Sequence, residues 1–291
     1  MSWIGRRALS SFSLLLALSL AGYATFGLSA DARAITKPAP GKMLLFGSSS
    51  MNGAFGHMIE ADFQSAGFDV TRKGISSAGL ARPDFKDIPE ILGGFPIRRM
   101  ATSVVLYIGG NDAQSIWLRP EERTAEDVRP WVYWRDKRWP GIYERRMVSL
   151  LNSLCERGAQ HAFVLPPTDV VRPRLQSRLE RVRALQQRAV SASQCGRFIS
   201  TAGDHEKRFE LDGQQLRSPD GVHMNRFGAA IVWTRIRERV YSLLGYEPPL
   251  VDCRRCVTAR ARRARARERN QKRAHSDESS AGRSRSITAS R

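Results

Sequence analysis

Ser103-Val104-Val105-Leu106-Tyr107-Ile108-Gly109-Gly110-Asn111-Asp112 is the stretch on which the fold turns. Six residues rich in β-branched and aromatic side chains are too few for a helix and suit a strand. Two glycines stop the run and leave a polar turn at its carboxyl end. Working outward, Met43–Phe46 is a second short apolar run, ending in Gly47-Ser48-Ser49-Ser50. Phe68–Arg72 alternates like a strand, and Ala162–Leu165 and Arg197–Thr201 are two further candidates. Amphipathic stretches lie between these runs. One continues from the serines to about Ala66. Another places Leu175, Leu179, Val182, Leu185 and Ala189 on one stripe, with Arg and Gln on the other faces. Val232, Ile236, Val240 and Leu244 repeat the pattern in the last helix. Strands alternating with helices predict a parallel sheet covered on both faces, a single α/β domain over residues 38–249. Such sheets place their ligands at the carboxyl ends of the strands.

Three polar clusters follow or flank those ends. Gly47-Ser48-Ser49-Ser50-Met51-Asn52-Gly53 puts a serine at a strand-to-helix turn, where backbone N–H groups at a helix start can stabilise an oxyanion. Read alone, it is equally an ordinary helix cap. Gly109-Gly110-Asn111-Asp112 frees the Asn111 amide to face a cleft, or is simply an Asn-containing turn. Asp220-Gly221-Val222-His223 precedes the last helix. Its carboxylate and imidazole, three residues apart, suit a pair in which Asp orients His for proton transfer from serine.

The order of these blocks resembles the SGNH hydrolases, also called GDSL esterases and lipases, over most of residues 42–246. Gly47-Ser48-Ser49 corresponds to the Gly-Asp-Ser block, which implies Ser49 as nucleophile, with Ser48 standing where relatives carry Asp. Gly109-Gly110-Asn111-Asp112 matches Gly-x-Asn-Asp and implies Asn111 as an oxyanion donor. Asp220 and His223 match Asp-x-x-His. Gly74 to Phe85 is similar to the second block of a poorly characterised exported bacterial branch, which implies a backbone N–H donor at Gly79 or at Ser77. The resemblance also implies a three-layer α/β/α domain with a central parallel sheet, flavodoxin-like in form. The expected catalytic set is Ser49, Asp220 and His223, with an oxyanion hole from Ser49, Asn111 and Gly79. Neither a cofactor nor a metal is expected, since His57, His161 and His205 are not spaced as a ligand set.

The ends of the 291-residue chain read differently. Residues 1–34 hold Arg6 and Arg7, an uncharged run from Ala8 to Ala30, and small-residue sites at Ala30-Asp31-Ala32 and Ala32-Arg33-Ala34. This is a signal peptide or an uncleaved membrane anchor, and either predicts an exported domain, periplasmic or extracellular. Residues 250–291 are expected to form a basic disordered tail. From Arg254 onward it holds thirteen Lys or Arg and three Asp or Glu, a large part of the net +19. It is too poor in apolar residues to offset the entropy of ordering. Its partners are expected to be anionic envelope polymers or lipid headgroups. An exported chain without interleaved aromatics is not expected to bind nucleic acid.

Of four cysteines, Cys155 and Cys195 are the pair to test for a disulfide, against two buried thiols. Cys253-Arg-Arg-Cys256 reads as incidental or as a local disulfide. Between Trp117 and Tyr143 lie six large aromatics without clear periodicity. Either they fill core at the sheet edge, or Trp134 and Trp139 form a platform for sugar rings beside the cleft. The leading function is an exported serine esterase removing O-acyl, chiefly acetyl, groups from an envelope or extracellular glycan. The alternatives are an O-acyltransferase using the same site and a non-catalytic envelope-binding protein.

Overall fold

The structure is a computed structural model that describes residues 40–100, 102–203, 209–211 and 213–249. The expected leader at 1–34, the expected tail at 250–291 with Cys253 and Cys256, and His205 lie outside the described residues.

Five parallel strands form the central sheet: β1 (Lys42–Gly47), β2 (Asp69–Gly74), β3 (Ser103–Tyr107), β6 (His161–Leu165) and β7 (Gly196–Phe198), in the order β2-β1-β3-β6-β7. Two short antiparallel pairs stand outside it, β4 (Ile116–Trp117) with β5 (Trp131–Val132), and β8 (Glu210–Leu211) with β9 (Gln214–Gln215). The helices are α1 (Ser49–Asn52), α2 (Ala54–Ser65), α3 (Ile88–Gly93), α4 (Ile97–Met100), α5 (Trp139–Glu156), α6 (Pro173–Ser191) and α7 (Arg226–Leu244). The three-layer α/β/α domain is the one expected.

Strand alternation sorts the core onto two faces. Leu44, Phe46, Val104, Leu106, Ala162 and Val164 meet α5 and α6 on one side. Met43, Leu45, Val105, Tyr107, Phe163 and Leu165 meet α2 and α7 on the other. Both faces of every inner strand are apolar because both are covered, which is why these strands read as unbroken hydrophobic runs.

Three expectations need correction. The last strand stops at Phe198 rather than Thr201, because β6 pairs with it only over Gly196–Phe198. The strand beginning at Phe68 starts one residue later and runs to Gly74, in register with Gly47. The polar side of α6 is not all solvent-facing. Gln186 is fully buried and Arg183 nearly so, because α6 is roofed by the loop after β6 as well as by α5. Cys155 and Cys195 form a disulfide that ties the end of α5 to the start of β7.

Candidate active site

The sheet order reverses direction at β1, so the carboxyl ends of β1 and β3 flank the crevice where open α/β sheets bind ligands. The chain leaves β1 at Gly47, and the Ser48 N–H donates to the Tyr107 carbonyl at 3.0 Å, which pins the serine turn to the end of β3. Ser48 is buried by this contact; Ser49, one residue on, opens α1 and faces the crevice.

Asp220 and His223 arrive from the far end of the chain on a tight turn before α7. Ser218 N–H donates to the His223 carbonyl at 2.7 Å, and Gly221 N–H to the Ser218 carbonyl at 2.9 Å. Arg217, buried, donates twice to the Asp169 carbonyl and anchors the turn to the loop after β6. Asn225 then caps α7, accepting from the N–H groups of Phe227 and Gly228.

These two placements bring the serine and histidine together across 174 positions. Ser49 Oγ lies 2.8 Å from His223 Nε2, and His223 Nδ1 lies 2.5 Å from Asp220 Oδ2. With Nδ1 protonated toward the carboxylate, Nε2 is the acceptor for the serine proton. The other carboxylate oxygen accepts from Val222 N–H at 2.8 Å and His223 N–H at 3.0 Å. Partial burial pulls the Asp220 carboxyl upward, but the hydrogen bonds from the His223 ring and from both backbone N–H groups outweigh it and hold the group at about 2. The orienting carboxylate is therefore ionised wherever a histidine titrates.

Asn111 lines the same crevice, in a short 3-10 turn that begins after Gly109. Gly109 sits at φ +113°, a backbone that side chains rarely adopt, and its missing Cβ leaves room for Pro167 and Gln186. Asn111 Nδ2 donates to the Ala78 carbonyl at 2.9 Å, so the amide is held by the second block rather than free. An amide nitrogen carries two hydrogens, and one remains for an oxyanion.

Gly79 lies in the second block, packed against the turn that carries Asn111. It is buried, and a Cβ there would lie 2.2 Å from Asp112 Oδ1 and 3.4 Å from Asn111 Cβ. Its smallness lets the second block close on Asp112. Ser77, the other candidate, is exposed with φ +61°.

Trp139 and Trp134 offer no open platform. Trp139 is 0% exposed, stacks on Tyr143 at 5.2 Å and donates from Nε1 to the Gln114 carbonyl. Trp134 packs edge-on against it at 4.3 Å, and the Arg178 and Arg181 guanidiniums lie over its ring. Neither lines the crevice. His57 contacts Arg72 and Glu60, and His161 stacks on Phe163.

Asp112 is the residue whose weight the sequence did not convey. Fully buried behind Asn111, it accepts from Ala81 N–H at 2.8 Å and from Tyr143 Oη at 3.0 Å. Gln186 donates in turn to Tyr143 Oη and to the Ile108 carbonyl, both at 3.1 Å. Arg146 reaches the Leu80 and Trp117 carbonyls and the Glu122 carboxylate. Only adjacency to Asn111 hinted at this network.

The fold and the crevice define a three-layer α/β/α protein with a Ser-His-Asp array at the carboxyl edge of its sheet. The chain belongs to the family described as "Protein of unknown function (DUF459)", whose model matches residues 42–239, a span containing all four blocks. No curated protein matches the sequence. Among solved structures, an α/β hydrolase enzyme from the metagenome of Lake Arreo, Spain, is 15% identical, with 67% of this chain and 93% of that chain covered and a TM-score of 0.48. A lipase/acylhydrolase from Enterococcus faecalis is 14% identical over 68% and 96%, with a TM-score of 0.46. A carbohydrate esterase family 3 protein from Talaromyces cellulolyticus is 14% identical over 70% and 98%, at 0.45.

Proposed function

We propose that the protein is an exported serine ester hydrolase that removes O-acyl groups, most simply acetyl, from an envelope or extracellular glycan. The observation that carries this reading is the continuous relay Ser49 Oγ, His223 Nε2, His223 Nδ1, Asp220 Oδ2, with separations of 2.8 and 2.5 Å. His223 takes the serine proton as Ser49 Oγ attacks the ester carbonyl, and the carbonyl π electrons move to oxygen. The resulting oxyanion is stabilised by the Asn111 amide and by backbone N–H groups at the start of α1. Collapse of this intermediate expels the alcohol, which takes the proton from His223 and leaves an acyl-serine. Water, deprotonated by the same imidazole, then releases the carboxylic acid and restores Ser49.

The dimensions of the crevice favour a short acyl group. Its cavity is about 60 Å³, lined among others by Tyr107, Pro167, Thr168 and Leu179, with Tyr107 Oη accepting from Thr168 N–H at 3.2 Å. The N-terminal run at 1–34 supports export, and the basic tail supports an anionic surface as the place of work.

A small-ester assay on the wild type and Ser49→Ala tests the activity, with fluorophosphonate labelling to locate the nucleophile. Acetate release that disappears in Ser49→Ala together with the label on Ser49 is the expected result. Equal turnover in both proteins would remove Ser49 from the mechanism.

A further inference from the structure

Beside the crevice, at the start of α6, lies an open cavity of about 620 Å³ lined by Arg172, Pro173, Arg174, Leu175 and Arg178. The two hollows are joined by one apolar strip. Leu179 and Val222 line the crevice, Leu175 lines the basic cavity, and all three pack with Ala113 and Val170 in one small cluster. The catalytic turn is itself tied to this rim, since Arg172 Nε donates to the Asp220 carbonyl at 3.0 Å.

The arginines here are charged but not neutralised. Arg178 spends one N–H on the Ala113 carbonyl at 3.0 Å and lies over Trp134, while Arg181 reaches the Trp134 carbonyl. Among the described residues none of Arg172, Arg174, Arg178 and Arg181 has a carboxylate partner. The nearby acids are engaged elsewhere: Asp220 with His223, Asp169 with Arg183, and Glu180 with Gln176. The first turn of α6 carries no acidic residue. Elsewhere on the surface arginines do find acids, as Arg188 finds Glu144 and Arg138 finds Asp127. A cluster of unpaired guanidinium forks next to a nucleophile is suited to an anionic substrate group, which guanidinium binds in bidentate fashion.

We propose that this cavity is a substrate subsite and that the enzyme acts on an O-acylated acidic glycan, whose carboxylate-bearing sugar sits on Arg172, Arg174 and Arg178 while the neighbouring acyl ester enters the crevice. The inference rests on the esterase reading above and names its substrate class. The small crevice argues against the alternative anion, a phospholipid, whose long acyl chain needs more apolar room than the Leu175, Leu179 and Val222 strip provides. Trp134 takes its part here as a backing plate that holds Arg178 and Arg181 in place.

The test separates binding from turnover. Full-length Ser49→Ala is titrated calorimetrically with a trimer of galacturonic acid and with the neutral trimer of xylose. The acidic trimer is expected to bind at least tenfold more tightly. Adding Arg174→Gln and Arg178→Gln should weaken it roughly tenfold, as expected for loss of charge-assisted hydrogen bonds, whereas adding Arg188→Gln should leave it unchanged. The basic tail is common to all these proteins. Acidic-trimer binding that survives the double substitution therefore belongs to the tail and overturns the proposal, as does equal affinity for the two trimers. In parallel, the protein with Ser49 intact is assayed for acetate release from acetylated acidic and acetylated neutral glycans. Arginine-dependent binding with no acetate released from either polymer would sink the esterase reading and leave the subsite standing. Acetate release with no acidic preference would sink the subsite alone.

Discussion

Tyr143 Oη donates to Asp112 Oδ2 at 3.0 Å from α5, a helix that contributes no residue to the catalytic crevice. The other oxygen of the same carboxylate takes the Ala81 N–H, so one buried group binds the second sequence block to the turn carrying Asn111. Asn111 returns the link through the Ala78 carbonyl. The two loops are thus fixed to each other from behind, where no water competes, and the oxyanion side of the crevice is preorganised by a group that never meets substrate.

That carboxyl should leave a mark on stability. Burial pushes Asp112 up to about 6, against the pull of the Ala81 N–H, the Tyr143 hydroxyl, the Leu80 N–H and the Arg146 charge. An unfolded aspartate titrates near 4, so folding takes up a proton between the two values. Where the folded state binds more protons, stability falls as pH rises. The expected loss is on the order of 2–3 kcal/mol between about pH 4 and 6. Asp112→Asn removes the titration and flattens that slope. Its amide nitrogen cannot accept, which costs about 1–3 kcal/mol for the donor left unpaired. Urea unfolding of both proteins across pH 4–7 measures both effects, and an unchanged slope in the variant would refute the assignment.

Asp220 should behave in the opposite sense. Held at about 2, its carboxylate is charged throughout the range in which imidazole titrates, so the acid limb of kcat/KM should show one ionisation. Whatever stability it confers is complete above about pH 4 and is lost only as pH falls toward 2. Asp220→Asn keeps the size but reverses the preferred tautomer of His223, and kcat should drop by on the order of 10³–10⁴. A second ionisation in the wild-type acid limb, or a loss under tenfold in the variant, would contradict this geometry.

What the sequence disclosed depended on how local each constraint is. The runs Met43–Phe46 and Ser103–Ile108 announced strands because a strand covered on both faces must be apolar throughout. Asp220 and His223 stood out because one turn fixes their spacing. Asp112 did not, since both its partners are 31 residues away, Ala81 in the second-block loop and Tyr143 on a helix face that reads simply as apolar. The α6 stripe misled at Arg183 and Gln186, because periodicity assigns polar residues to solvent and cannot show a loop folding back over them. The Trp117–Trp134 stretch has no period because it is built of a two-residue ribbon and turns, and Trp139 opens α5, where a single helical turn back to the aperiodic stretch gave its burial no linear signature. The unpaired arginines at the start of α6 were equally invisible, because charge in sequence says nothing of which acids are already taken.

Asn111→Ala should act on the transition state rather than on binding. Its amide is placed by the Ala78 carbonyl and by the turn after Gly109, and removing one oxyanion donor typically costs 10²–10³ in turnover. The expected signature is a fall in kcat of that size with KM within about threefold of wild type on a small ester. A rise in KM at constant kcat would place Asn111 among the ground-state contacts instead.

The two tryptophans should separate cleanly. Trp139 is fully buried, stacked on Tyr143 and hydrogen-bonded to Gln114, so Trp139→Ala removes a large core side chain and strands a carbonyl. A loss of about 3–5 kcal/mol is expected, read as an earlier urea midpoint with activity per folded molecule little changed. Trp134 lies at the margin of the same cluster and carries Arg178 and Arg181 on its ring. Trp134→Ala should cost less stability and instead raise KM for an acidic acylated glycan, because the two guanidiniums lose the surface that orders them. Trp134→Phe, which keeps an aromatic face, should restore most of that affinity. If Trp134→Ala shifted KM for neutral and acidic substrates equally, the ring would be touching the sugar itself, and its placement beneath the arginines would have to be abandoned.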